Sequence, residues 1–390
     1  MKLWESKPLR ALTRKIGSGA TPRGGSTVYQ DTGVSFIRSK NVLDSRMRLD
    51  DLAHLSDAAA AGLAGVSVQP NDVLINITGE SVARCCVVDP AVLPARVSQH
   101  VAILRASDEL APRYLQAMLV SPSVKAELNG MSSGGTRRAL TKAMLANLAI
   151  SVPPFERQRD IAELLGALDD KIAANAELAR TADDLSGAYY SQMLGDANDR
   201  PLSSIASFTN GRAFTKGASG TGRVVVRIAE LNSGIGPSTV RSNAAVADQY
   251  TARAGDILFA WSGSLTVNRW YRPEAIVNQH IFKVEPVDGF PRWLVFRALR
   301  AKLSEFRNIA ADKATTMGHI QRYHLDDAVS LPDRPEIGAR DALMTALWNR
   351  ALAAEKESLA LTELRDTLLP HLMSGRLKVQ DAEKTVSDAV

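Results

Sequence analysis

The chain has 390 residues, of which 45% are hydrophobic and 23% charged, with a net charge of +5. That length exceeds one compact core and allows two or more domains, and the hydrophobic fraction excludes a disordered chain. No run approaches the roughly 18 apolar residues of a membrane helix, the start Met1-Lys2-Leu3-Trp4-Glu5-Ser6-Lys7 has no signal-peptide core, and the only cysteines, Cys85 and Cys86, are neighbours that make no disulfide framework, so a cytoplasmic protein is expected.

Along the chain, short β-type runs come first: Gly33–Ile37, Val73–Ile77 and Val97–Leu104, separated by Gly, Pro and Asn. A short helix is expected over Pro112–Val120. Beyond Pro153-Pro154 a long one runs from about Glu156 to Leu194, with Ile161, Leu165, Leu168 and Ile172 opening its apolar stripe. The plan then starts again. β-type runs over Val224–Ile228, Ile257–Trp261 and Ile276–Val284 precede a short helix over Pro291–Leu303. A second long helix covers Glu336–Met373, its stripe including Leu343, Leu347, Leu361 and Leu368. A stripe sustained over 39 residues is the pattern of helices packing lengthwise, and at 1.5 Å per residue such a helix is ~58 Å long. The expected domains are therefore residues 1–155, the helix 156–198, residues 199–334, the helix 335–375 and a tail, 376–390.

The restart is a duplication. Gln69-Pro70-Asn71-Asp72-Val73-Leu74-Ile75 with Thr78-Gly79 returns 184 residues later as Arg253-Ala254-Gly255-Asp256-Ile257-Leu258-Phe259 with Ser262-Gly263. Val97-Ser98-Gln99-His100-Val101 returns 180 later as Val277-Asn278-Gln279-His280-Ile281, and Leu148-Ala149-Ile150-Ser151-Val152-Pro153 returns 179 later as Asp327-Ala328-Val329-Ser330-Leu331-Pro332. Charge follows the same plan: residues 1–155 and 199–334 each hold 18 Lys+Arg against 12 Asp+Glu, whereas 156–198 hold 4 against 9 and 335–390 hold 7 against 9. Two basic lobes joined by acidic segments suit a polyanion touched twice. The fold class expected is α+β, two similar β-rich domains separated by long antiparallel, coiled-coil-like helices.

Val152-Pro153-Pro154-Phe155-Glu156-Arg157-Gln158-Arg159-Asp160-Ile161, then Leu168-Asp169-Asp170-Lys171-Ile172 and Asn175, resembles the first conserved helix of type I restriction–modification specificity subunits. Gly17-Ser18-Gly19-Ala20-Thr21-Pro22, Thr315-Thr316-Met317-Gly318-His319-Ile320 and Leu368-Leu369-Pro370-His371-Leu372-Met373-Ser374-Gly375 are similar to other motifs of that family. The second helix start, Asp333-Arg334-Pro335-Glu336-Ile337-Gly338, departs from the pattern, lacking Pro-Pro and Glu-x-Gln. The resemblance implies a non-catalytic chain in which each β-rich lobe is a target-recognition domain for one half of a split double-stranded DNA site. The helices would set the gap and dock two methyltransferase subunits, with restriction/translocase subunits joining them. S-adenosylmethionine and ATP would belong to those partners; no cofactor or metal is expected in this chain.

Candidate DNA contacts follow from polar, glycine-rich and basic positions. In the first copy they are Ser18, Thr21 and Arg23 in the Gly17–Gly25 loop, Lys40, Thr78, Arg84, and Thr136, Arg137 and Arg138. In the second they are Arg212, Lys216, Arg227, Ser262, Asn268, Arg269, Thr315 and Thr316. Backbone N–H groups and arginines reach phosphates more often than bases, so positioning is the commoner role. The Gln-His pairs read as satisfied strand histidines, and Asp72 and Asp256 as turn residues bonding their own backbone. The alternatives are a DNA methyltransferase or nuclease with its own target domains, and an interaction scaffold that does not bind DNA. Against the first, Val152 precedes Pro153-Pro154 where an amide-binding Asn, Asp or Ser would be needed. No Gly-x-x-x-x-Gly-Lys-Ser/Thr loop or Cys/His metal cluster occurs.

Overall fold

The computed structural model describes residues 4–132, 139–195, 198–236, 238–287, 289–312 and 318–389. These form two compact units, 1–173 with 360–390, and 174–359. The division falls inside both long helices, so each helix belongs to both units.

In the first unit the strands are β1 (Glu5–Pro8), β2 (Thr13–Ser18), β3 (Tyr29–Gln30), β4 (Val34–Ile37), β5 (Ala53–Leu55), β6 (Val73–Asn76), β7 (Cys85–Val87), β8 (Ala95–Val97), β9 (Val101–Ala106) and β10 (Ala149–Val152). One sheet has the order β2-β9-β6-β7, a second β3-β5-β4-β8, and β1 pairs with β10. Val73 and Ile75 turn toward the main core, while Leu74 and Ile103 turn toward a smaller core between the sheets. This period-2 division is why the strands read as continuous apolar runs: both faces are covered.

The second unit has β11 (Asn198–Pro201), β12 (Ala206–Asn210), β13 (Arg223–Val226), β14 (Arg241–Ser242), β15 (Thr251–Ala252), β16 (Ile257–Ala260), β17 (Thr266–Arg269), β18 (Ala275–Val277), β19 (Ile281–Pro286) and β20 (Ala328–Leu331). Its main sheet, β12-β19-β16-β17, repeats the first unit's order, and β11 pairs with β20 as β1 does with β10. The register repeats too: Val73 faces Leu104 as Ile257 faces Val284. In each unit the second sheet holds one parallel pair, β4 with β8 and β13 with β18. The duplication read from sequence offsets is thus a duplication of hydrogen-bonding topology.

Asp72 and Asp256 hold the turns before β6 and β16, accepting from the backbone N–H of Gln69 at 2.7 Å and of Arg253 at 2.8 Å. The histidines differ from their expected place: His100 and His280 sit in the turns before β9 and β19, not within the strands. His100 is exposed and its Nδ1 lies 2.6 Å from Thr78 Oγ1. His280 has a φ of 73° and a buried Nδ1 without a hydrogen bond.

The expected short helices are Pro112–Val120 and, longer than expected, Arg292–Asp312. The long ones are Phe155–Met193 and Arg334–Met373. The Gln of Glu-x-Gln has a physical role. Gln158 is buried, accepts from the Ala111 N–H (2.9 Å), and donates to the carbonyls of Glu109 (2.9 Å) and Pro153 (3.0 Å). The second helix, which lacks it, starts instead with Asp333 accepting from the Glu336 N–H at 2.8 Å. Asp341 then accepts from Trp293 Nε1 at 2.7 Å.

The long helices run antiparallel within each unit. In the first, Asp169 pairs with Arg365 at 2.6 Å. In the second, Asn175 donates to Glu357 at 2.9 Å, and Ala179, Ala182, Ala351 and Ala354 form a small-residue seam. Residues 376–390, set apart as a tail, contain the helix Val379–Ala389, whose Val379 and Ala382 are buried in the first unit's core. Gly375, at φ 70°, leads into it; a Cβ there would lie 2.7 Å from the Trp4 ring, so only glycine fits.

Ile161, Leu165, Leu168, Leu361 and Leu368 are buried as expected, and Ile172 and Leu347 are partly buried. Leu343 is not: it is 39% exposed, while Met344, Trp348 and Ala351 face inward. The correction is one of helical phase. Trp348 packs edge-on against Phe296, with ring centroids 5.1 Å apart, and each residue turns the helix by ~100°. Met344 four residues earlier therefore takes the inner position, leaving Leu343 beside it. Met344→Ala should cost about 2–5 kcal/mol by leaving a cavity, whereas Leu343→Ala should cost less than about 1 kcal/mol. Denaturant unfolding of the two variants checks this order.

Candidate functional site

In each unit four segments meet at one end of the main sheet, through the same backbone contacts. After β2, the Gly19 N–H donates to Val101 O (2.8 Å); after β12, the Gly211 N–H donates to Ile281 O (3.0 Å). A Cβ on Gly19 would lie 2.1 Å from Val97 O, and one on Gly211 2.2 Å from Asn278 O. Both positions require glycine because another strand's carbonyls pass against them.

After β6 and β16, the Ile77 N–H donates to His100 O (2.9 Å) and the Trp261 N–H to His280 O (3.1 Å). The next residues, Thr78 and Ser262, form isolated bridges with Ala139 and His319. This brings the Gly-rich loop, the Thr78-Gly79 or Ser262-Gly263 turn, the Gln-His turn and the segment before the last strand into one cluster per unit. Loops converging on a sheet end held by main-chain bonds are a frequent ground for binding sites.

Several expected contacts lie in or beside these clusters. Ser18 ends β2, with Thr21 and Arg23 following in the same loop; all three are exposed, and Arg23 has no side-chain partner among the described residues. Arg84 is exposed and equally unpaired, its carbonyl accepting from the Asn76 N–H two residues before Thr78. Arg212 is exposed, 4.8 Å from the centroid of the Tyr250 ring, and Lys216 is exposed four residues on. Ser262 is buried, its hydroxyl without a hydrogen bond among the described residues. Thr136, Arg137, Arg138, Thr315 and Thr316 lie outside the described residues.

Other expected contacts are committed elsewhere. Lys40 pairs with Asp51, whose carboxyl this hydrogen bond holds below the usual range. Arg227 grips buried Glu230 at 2.6 and 3.0 Å; burial pushes that carboxyl up, but Arg227 and Thr239 outweigh it and hold it below the usual range. Asn268 donates to Leu231 O at 2.9 Å.

Arg269 is a correction. It is 4% exposed, bonded to Asp183 at 2.9 and 3.1 Å and to Glu355 at 2.6 and 3.2 Å, with Trp348 5.0 Å from its guanidinium. Four of its five N–H donors are spent on two helix carboxylates, and the buried fork cannot reach a base or phosphate. Beside it, burial pushes Arg297 down to about 10, although it too donates to Asp183, at 3.0 Å.

The sequence reading passed over the richest part of the second cluster. Trp261 Nε1 donates to Asn210 Oδ1 at 2.9 Å, and the Trp261 ring lies 5.2 Å from His280 and 6.2 Å from His319. Gln321 Nε2 lies 3.0 Å from His319 Nε2, and Tyr323, 59% exposed, stacks 4.1 Å from His324. The duplicated Gln-His was the signal that could have led there.

Comparison with known proteins places this geometry. Residues 2–181 match the family described as type I restriction modification DNA specificity domain. The matched stretch is a little under half of the chain. Over 199 residues the chain is 22% identical to the type I restriction enzyme HindI specificity subunit of Haemophilus influenzae. That match takes in 50% of this chain and spans 42% of the relative's length. The S subunit of a type I restriction-modification system from M. genitalium has a similar fold, at a TM-score of 0.59 and 15% identity over 95% of this chain and 96% of that one. The HsdS subunit from Thermoanaerobacter tengcongensis aligns over 96% of this chain and 97% of its own, at 17% identity and a TM-score of 0.38. The second copy lies outside residues 2–181 and repeats the first unit's strand order and register.

Removing Arg269 leaves Asp183 and Glu355 without their shared cation. Arg269→Ala should destabilise the second unit by about 3–5 kcal/mol, the usual cost of breaking a buried pair. Arg84→Ala should change stability by no more than about 0.5 kcal/mol. Thermal unfolding of both variants is the check.

Proposed function

We propose that this chain is the DNA-reading specificity subunit of a type I restriction–modification assembly, contributing recognition and no catalysis. The observation that carries the reading is the duplicated site: the same four segments, with the same main-chain bonds, close one sheet end in each unit. Two copies of a recognition site in one chain suit a split DNA target, each unit reading one half. The balance of 18 basic to 12 acidic residues in each β-rich block suits a polyanionic ligand. Exposed and unpaired, Arg23, Arg84 and Lys216 serve as phosphate contacts.

Each long helix runs through both units and packs antiparallel to the other within each, which suits a role in setting the gap between half-sites. Leu185, Leu343 and Phe155 are 43%, 39% and 42% exposed on them, apolar surface for two methyltransferase subunits to cover. Restriction/translocase subunits complete the assembly, and S-adenosylmethionine and ATP act there. Among the described residues no helix is long and apolar enough to cross a membrane.

Mapping methylated bases in DNA exposed to this chain with its methyltransferase subunits tests the reading. Exchanging residues 199–334 for the corresponding domain of another specificity subunit should change one half-site and leave the other. A change in both, or in neither, would refute the two-reader arrangement.

The same mapping tests the helices. Four residues added after Ala173 lengthen the first helix by ~6 Å, which at ~3.4 Å per base pair is a gap longer by one or at most about two base pairs. The half-sites should be unchanged. An unaltered gap in a folded, active variant would sink the idea that the helices are rulers.

A further inference from the structure

The two recognition ends are built alike but furnished differently, and the difference can be read position by position. Ser18 faces Ala102 across the sheet as Asn210 faces Phe282. Ala20 therefore stands where the second unit has Arg212, one residue beyond the matched glycines. Ile77 stands where it has Trp261, by the shared bond to a histidine carbonyl. The bridges from Thr78 to Ala139 and from Ser262 to His319 align the last segment, and the backbone N–H groups of Thr141 and Gln321, each donating to the side chain three residues on, fit the same alignment. Ala139, Thr141 and Ala143 thus match His319, Gln321 and Tyr323.

What the units share is of one kind: the close-approach glycines, a hydroxyl at Thr78 or Ser262 followed by glycine, and the Gln-His turn. At the positions matched above, the second unit carries Asn210, Arg212, Trp261, His319, Gln321 and Tyr323, and the first carries Ser18, Ala20, Ile77, Ala139, Thr141 and Ala143.

From this contrast, and resting on the DNA-recognition reading above, we propose that the second unit discriminates bases with Arg212, His319, Gln321 and Tyr323, while the elements common to both units hold the sugar–phosphate backbone. Features identical in two readers of different sequences suit what the two half-sites have in common, which is the backbone. Features present in one reader suit what differs.

The chemistry fits base edges. Arg212 is exposed, makes no ion pair among the described residues, and lies over Tyr250, which itself meets Phe214 edge-on at 5.7 Å. A supported guanidinium fork of this kind matches guanine O6 and N7, and a glutamine amide matches adenine N6 and N7. Gln321 is exposed and steadied by His319, so its amide is held at the rim. Tyr323 offers an aromatic face there.

The test uses the full chain and a pool of randomised double-stranded DNA, sequenced after retention. Arg212→Ala and Gln321→Ala should each lose preference at one or two neighbouring positions, with discrimination falling about 5- to 100-fold there and other positions unchanged. Arg212→Lys, which keeps the charge and loses the fork, should lose the same preference with overall affinity within about threefold of wild type. Gln99→Ala and Gln279→Ala should weaken retention evenly across sequences. Thermal unfolding matched to wild type confirms that each variant is folded; these side chains are exposed, so little change is expected. Evenly weaker retention by Arg212→Ala and Gln321→Ala, or altered base preference in Gln99→Ala and Gln279→Ala, would overturn this inference and leave DNA recognition standing. No retention of any duplex by the wild-type chain would overturn both.

Discussion

In the second unit, the sheet and both long helices are joined through one buried guanidinium. Arg269 ends β17 and binds Asp183 of the first helix and Glu355 of the second. Burial works against its charge, but the two carboxylates more than compensate and hold its proton; burial, with the Asp183 charge beside it, outweighs Arg269 and pushes the Glu355 carboxyl up. A charge withdrawn from water must be paired with good geometry, and only one arrangement of strand and helices supplies both carboxylates. The interaction therefore specifies geometry more than it adds stability. The alanine seam beside it lets the helices approach closely enough for both acids to reach the same arginine.

The first unit meets the same need with other residues. Gln158 ties its helix to the loop before Pro112 by neutral hydrogen bonds, and Arg365 pairs with Asp169 between the helices. Tyr114 and Tyr190 both donate to a carbonyl in the strand preceding a long helix, that of Ser151 at 2.9 Å and of Ser330 at 2.8 Å. The tyrosines come from different elements and the acceptors are equivalent. After duplication, backbone topology has been kept while the side chains that fasten it have been exchanged. Topology is held by many main-chain bonds at once, whereas each fastening can be replaced singly without losing the fold.

That independence lets two similar units carry different side chains at the same sheet end. The main-chain bonds of Gly19 and Gly211, and those to the histidine carbonyls, belong to the scaffold. Most side chains projecting from it are exposed and free to change, whereas Ile77 and Trp261 pack on the core of their unit. A rim of Asn210, Trp261, His319 and Gln321 in one unit and Ser18, Ile77, Ala139 and Thr141 in the other is compatible with one fold.

Much was legible in the sequence because it depends on periodicity and order. Apolar runs marked β4, β6, β9, β13, β16 and β19. Stripes three and four residues apart marked the long helices to within two residues, and the constant offset announced the duplication. Asp72 and Asp256 were readable as turn residues because their bonds are local. What depends on contacts between distant residues was not legible. Arg269 reads as one more basic residue until Asp183 and Glu355, 86 residues away on either side, are brought to it. Leu343 reads as core until Trp348 meets Phe296 and sets the helix's phase. The cluster of Trp261, His280 and His319 exists only because a turn, a strand end and a late segment close on one another. The sequence by itself determined the elements, their order and their repetition, because these follow from local propensity and hydrophobic period. The tertiary structure alone decided which charges are buried and which side chains share a rim, because burial and proximity belong to the folded arrangement and not to any single segment.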